Sequence, residues 1–182
     1  MQIQQYDFNS DPPLLAPYQG QALLEGQPTH AIPGTRMPVI TNEGEASISL
    51  MRWGIRPEWA VRKGSPFERI FISRQEILDE VKKNRFREHR IQYSRCLIPA
   101  TTVYLPGEAE TQTLTAQAGT FFRLAGTYER WTSPTGEDMS SFAPITVRGV
   151  PAAIDVGAEE RWLDLNFNDW NVLGAFLQPP KG

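Results

Sequence analysis

Turn residues cut the chain into many short strand-forming segments, and this limits it to folds built on a strongly bent sheet. Ala46-Ser47-Ile48-Ser49-Leu50-Met51-Arg52-Trp53 alternates apolar and polar side chains, as a half-buried strand does. Met37-Pro38-Val39-Ile40 precedes it as a shorter strand, with a hairpin turn at Asn42-Glu43-Gly44-Glu45. Strands are also expected over 69–74, 93–98 (ending at Pro99), 103–105, 120–128 and 142–147. Pro144 places the last of these at a sheet edge or a bulge. Residues 107–118 read as a loop or ragged hairpin, and Ser133-Pro134-Thr135-Gly136-Glu137-Asp138 as a turn. Helices are expected over 76–90, where Ile77, Leu78 and Val81 begin an apolar stripe, over 157–163, and within 167–177. Residues 59–66 read as loop. Residues 1–20, with Pro12, Pro13 and Pro17, read as a loosely ordered arm. Together these segments make one α+β domain over 1–182, with a strongly bent, barrel-like mixed or antiparallel sheet and a few helices.

The chain of 182 residues is long enough for a sizeable core. No apolar run approaches the roughly 20 residues of a membrane span, so no membrane partner is expected. The first residues, MQIQQYDFNSD, are polar and carry no secretory signal, and the single Cys96 cannot form an internal disulfide. Both suit the cytoplasm. Net charge is −3, which argues against a nucleic-acid binder, but the charge is uneven. Residues 52–95 hold 12 Lys and Arg against 6 Asp and Glu, leaving 6 against 15 for the rest. A basic middle attracts phosphate locally, or simply forms a solvated helix face.

One cysteine and two scattered histidines, His30 and His89, supply no metal site, and no metal or cofactor is expected. Neither a phosphate-binding glycine loop nor a Gly-x-Ser-x-Gly elbow is present. Cys96 lies in the strand-like run Tyr93-Ser94-Arg95-Cys96-Leu97-Ile98-Pro99 and reads as a small buried apolar residue. His30, just before Ile32-Pro33-Gly34, is notable by position. Trp53 and Trp59 bracket Gly54-Ile55-Arg56-Pro57. Either both are core, or one is core and the other a surface plate on which unpaired bases stack. The run 82–90 holds Lys82, Lys83, Arg85, Arg87 and Arg90, which could face one phosphate strand or merely solvent.

Four blocks, Pro33–Ile40, Trp53–Trp59, Arg95–Ala100 and Ala125–Trp131, follow in a fixed order. In that order the chain resembles the SOS response-associated peptidase (SRAP) family over about residues 28–165. Members of that family cap abasic sites in single-stranded DNA through an N-terminal cysteine. The family's Asn-x-Ala-Pro segment is similar to His30–Pro33, its Asn-Ala-Arg-x-Glu to Ile72–Glu76, and its Asp-Gly-Phe-Tyr-Glu-Trp to Thr101–Pro106. The resemblance implies the family fold, but the reactive positions differ. Gln2 stands where the cysteine belongs, Ile72 where the asparagine belongs, and Leu105 where the proton-transferring glutamate belongs. The family's His-Asp-Arg-Met-Pro has its nearest counterpart in Val147–Pro151, shortened and without histidine. Arg74, Glu76 and Trp59 remain.

Groups that act as a unit lose their purpose together. The expected protein is therefore a SRAP-like scaffold without crosslinking chemistry and with no catalytic residue. It is expected to bind single-stranded or damaged DNA non-covalently through Trp59, Arg74, Glu76, Arg85 and Arg87. Two other readings stand beside this one. The scaffold could serve as an interaction module for a protein partner, which the acidic ends favour, or as an enzyme that crosslinks DNA or processes itself by another route.

Overall fold

The computed structural model describes residues 5–8, 15–83, 94–105 and 110–181. Two sheets organise it. The larger runs through β3 (Arg36–Asn42), β4 (Ala46–Trp53), β6 (Arg95–Ala100), β9 (Phe122–Thr132) and β10 (Asp138–Val147). β10 pairs with both β9 and β4, so the order β10-β4-β3-β6-β9 closes on itself as a five-stranded barrel. All of these pairings are antiparallel except β4–β10, which is parallel. Closure leaves the barrel no free edge. β5 (Ile72–Ser73) and β11 (Val150–Pro151) extend β10 beyond the barrel. The smaller sheet, in order β2-β1-β7-β8, is formed by β1 (Gln5–Asp7), β2 (His30–Ala31), β7 (Thr102–Leu105) and β8 (Gln112–Thr115). Among the described residues there are four α-helices: α1 (Glu58–Arg62), α2 (Arg74–Lys83), α3 (Glu159–Leu163) and α4 (Trp170–Phe176). None among the described residues is long and apolar enough to cross a membrane.

The predicted α+β class and barrel-like sheet match this architecture, and the strand predicted over 46–53 is β4 to the residue. Three local expectations change. Gln5–Asp7, placed in a loose arm, is a strand. Tyr6 and Phe8 are buried and alternate with half-exposed Gln5 and Asp7, a period-two pattern too short to stand out beside the prolines. Residues 59–62, placed in a loop, belong to the helix Glu58–Arg62, where Pro57 sets the backbone at its start and Glu58 pairs with Arg62 at 2.6 Å. Pro144 lies inside the barrel rather than at an edge. It falls where β10 leaves Arg52 and Trp53 of β4 and takes up Ile72 and Ser73 of β5, a gap that needs no amide donor.

Two of the sequence blocks are explained by packing. Arg95 is buried, and its guanidinium donates to the carbonyls of Trp162 (2.6 Å), Asp164 (2.5 Å) and Phe167 (2.8 Å). Trp162 returns a bond from its indole N–H to the Cys96 carbonyl at 3.0 Å, which fastens α3 to the barrel wall. Opposite Cys96 in the β6–β9 ladder stands Gly126, where a Cβ would lie 2.8 Å from both the Cys96 sulfur and the Ile98 Cδ1. Only a residue without a side chain fits there.

Candidate nucleic-acid interface

Residues 55–69 leave the barrel and return to it, and the neck of this excursion is tied at several points. Ile55 and Arg69 exchange both backbone hydrogen bonds at 2.9 Å. The Trp53 indole donates to the Ile70 carbonyl at 2.7 Å, and the Trp131 indole to the Arg56 carbonyl at 3.2 Å. Gly54 turns the chain outward with φ +109°, and a Cβ there would run into the Glu68 carboxylate that pairs with Arg52. Trp53 itself is fully buried against Tyr6 and Phe142, with ring centroids 5.3 and 6.4 Å away. Of the two bracketing tryptophans, one is therefore core and the other a surface plate.

That plate is Trp59, on α1 and 47% exposed. Phe67, 38% exposed, meets it with centroids 5.1 Å apart and planes tilted by 39°. The Arg69 guanidinium lies 5.9 Å from the Phe67 ring centre. Arg56, Arg62 and Lys63 sit on the same excursion, against the acids Glu58 and Glu68. Two adjoining exposed aromatic faces are an arrangement on which other planar rings can stack. Sequence reasoning missed Phe67. The available signal was an aromatic residue placed just after Pro66 in a polar, turn-rich segment, where no core demanded it.

The other predicted site residues are placed differently. Ser73 precedes α2 and Glu76 is its third residue. The Glu76 carboxylate accepts from the Ser73 amide (2.8 Å) and hydroxyl (2.7 Å), while the Ser73 hydroxyl accepts from the Glu76 amide (3.1 Å). This reciprocal cap fixes the start of α2. The bond from the Ser73 hydroxyl holds the Glu76 carboxyl below the ordinary glutamate range. Arg74, the first residue of α2, runs along Gly174 of α4, where a Cβ would come within 3.5 Å of its guanidinium. Its Nε is buried without a hydrogen-bond partner. Gln2, Arg85 and Arg87 lie outside the described residues.

Two of the positions that the resemblance assigned to reactive groups, Ile72 and Leu105, are apolar. Ile72 and Leu105 are each 7% exposed and belong to the continuous hydrophobic core, so neither position offers a group that moves a proton. Cys96 is fully buried, and burial pushes its thiol far up, away from the thiolate a nucleophile needs. The segment Val147–Pro151 is a tight hairpin. Val147 pairs with Val150, and the two turn residues, Arg148 (φ 53°) and Gly149 (φ 79°), are both left-handed. Among the described residues no three His, Cys, Asp or Glu side chains gather to hold a metal ion.

A family model for SOS response associated peptidases (SRAP) matches residues 19–180. Two Bacillus subtilis proteins named abasic site processing proteins are similar in sequence. YoqW is 28% identical over 178 residues, covering 87% of this chain and 78% of its own length. YoaM is 25% identical over 172 residues, covering 85% and 74%. The fold is shared with a solved Bordetella bronchiseptica protein at TM-score 0.72 and 16% identity, covering 98% of this chain and 95% of that one. It is shared too with one from Bacteroides thetaiotaomicron at 0.70 and 20%, covering 97% and 87%.

Proposed function

The chain belongs to the SRAP family, and on that premise we propose that it binds single-stranded DNA, including strands with abasic sites, without the thiol chemistry of the family. The exposed Trp59–Phe67 pair carries this reading. Base stacking on aromatic faces contributes roughly 1–3 kcal/mol per base and tolerates any sequence. Arg56, Arg62 and Lys63 belong to the same chain segment, and Arg69 lies 5.9 Å from the Phe67 ring centre; such cations suit the phosphates that link stacked bases. Arg74 is a further phosphate ligand in this reading, and Glu76 takes part by fixing the helix start that presents Arg74. This reading includes a role in handling damaged DNA in the cytoplasm; the relatives' names support its DNA-damage part.

Loss of crosslinking rests on residue identity. A thiazolidine needs a thiol and an amine on one residue, and Gln2 has no thiol. Neither Ile72 nor Leu105 replaces the missing proton carriers. Fluorescence anisotropy with labelled single-stranded DNA tests the binding at about 50 mM and about 200 mM salt. Affinity should fall steeply between the two, and no binding at the lower salt would remove the proposal. A denaturing gel after incubation with abasic single-stranded DNA should show no stable shifted band.

A further inference from the structure

The outer face of the smaller sheet carries one interacting group of ionisable side chains that the aromatic platform does not use. Asp7 on β1 stands directly opposite His30 on β2 and Thr102 on β7. Tyr104, two residues along β7, lies diagonally across from Asp7, within reach of a long side chain. The Asp7 carboxylate is held at both oxygens. His30 Nδ1 lies 2.6 Å from one, and the Tyr104 hydroxyl donates to the other at 2.5 Å. The His30 and Tyr104 rings meet edge to face with centroids 6.2 Å apart. A carboxylate oxygen accepts, so in the neutral imidazole the arrangement favours the proton on Nδ1 and the lone pair on Nε2. The His30 side chain is 50% exposed. The other residues on this face by register, Gln5, Thr102, Thr113 and Thr115, are uncharged, so Asp7 and Tyr104 are the ionisable groups that face the imidazole among the described residues.

The chain leads from this group to the DNA platform. Ile32, two residues after His30, is 47% exposed. The turn it opens is closed by a 3.1 Å bond from the Thr35 amide to the Ile32 carbonyl. Gly34 then donates to the Trp53 carbonyl at 2.9 Å, beside Gly54, where the excursion bearing Trp59 begins.

We propose that His30, oriented by Asp7 and Tyr104, is a general base that cleaves abasic single-stranded DNA by β-elimination. The inference rests on the DNA-binding reading above. In the ring-opened sugar the C1′ aldehyde acidifies the C2′ proton. His30 Nε2 takes that proton, and the C–H electron pair becomes the C2′=C3′ double bond. The C3′–O bond breaks, and its electrons leave with the phosphate. One fragment then ends in an unsaturated aldehyde and the other begins with a 5′-phosphate. No oxidant, reductant or metal enters the balance. Asp7 and Tyr104 are positioning residues. The carboxylate fixes the tautomer and stabilises the imidazolium that forms, and the phenol fixes the carboxylate.

The test uses the whole chain and a 5′-labelled oligonucleotide with one abasic site, resolved on a denaturing gel. Anisotropy is measured in parallel with the tetrahydrofuran analogue, which has no aldehyde and cannot eliminate. The wild type should cut the abasic strand faster than the protein-free rate and leave the analogue whole. The His30→Ala variant should cut about 100-fold or more slowly, bind the analogue within about twofold, and regain cutting when free imidazole is added. Asp7→Asn should lower kcat and leave KM unchanged. Equal cutting by wild type and His30→Ala, with binding intact, overturns the proposal. So does a borohydride-trapped covalent band, which would assign the elimination to an amine. Failure of the wild type to bind the analogue would instead remove the DNA-binding reading, and this proposal with it.

Discussion

Trp59 and Phe67 form an aromatic pair that the core does not claim, with ring centroids 5.1 Å apart on a segment tied to the barrel at its neck. Trp59→Ala and Phe67→Ala should each weaken single-stranded DNA binding by roughly 1–3 kcal/mol, or about 5- to 150-fold. Both side chains are exposed, so the urea midpoint should stay within the scatter of surface substitutions. Anisotropy and urea titration read the two effects separately.

Arg56 and Lys63 share the excursion with that pair. If they meet phosphates, replacing both by Ala should flatten the plot of log affinity against log salt by about 1.4, since each contact to a single strand contributes about 0.7. An unchanged slope would place the phosphates elsewhere.

The cap formed by Ser73 and Glu76 makes the stability depend on pH in a definite direction. Folding holds the Glu76 carboxyl below the ordinary range, chiefly through the Ser73 hydroxyl. The unfolded chain therefore takes up the proton first. The contribution is complete at neutral pH, above the unfolded carboxyl's range, and is lost as pH falls through the folded value. Ser73→Ala should cost about 1 kcal/mol at about pH 7 and less at about pH 3, measured by urea unfolding at both.

Gly126 faces Cys96 in a wall with no spare volume. Gly126→Ala should destabilise by about 1–3 kcal/mol, the usual cost of overpacking. Cys96→Ala in the same chain should recover part of that loss, because it removes one of the two contacts at 2.8 Å. In the wild type a thiol reagent should modify Cys96 only after denaturation, since the side chain is wholly buried.

Restoring the family's polar groups singly should damage the protein. Leu105→Glu or Ile72→Asn places an unpartnered polar or charged group at a buried position, at a cost of at least about 2 kcal/mol each. Neither should produce a shifted band with abasic DNA. A band from either variant on a denaturing gel would overturn the reading that this chain lacks crosslinking chemistry.

Much of the fold was legible in the sequence because its signals are local. Alternation marks β4 whatever surrounds it, and the turn at Ser133–Asp138 is specified by its own residue types. The fixed order of the blocks around Trp53, Arg95 and Gly126 led to the family without any contact being known. What those blocks do was not legible. Arg95 looked like one more cation of a basic middle, yet it is buried on three carbonyls about seventy residues ahead. Glu76 was read only as a site residue, and its carboxylate also caps a helix. Two tryptophans six positions apart have opposite fates, because Trp53 ends a barrel strand and Trp59 rides on the segment beyond it. His30 meets Asp7 and Tyr104 only because strands distant in the chain pair in one register. Periodicity and turn chemistry act between neighbours, and so are written in the chain itself. Burial and partnership depend on which strands close the barrel, and long-range packing alone decides that.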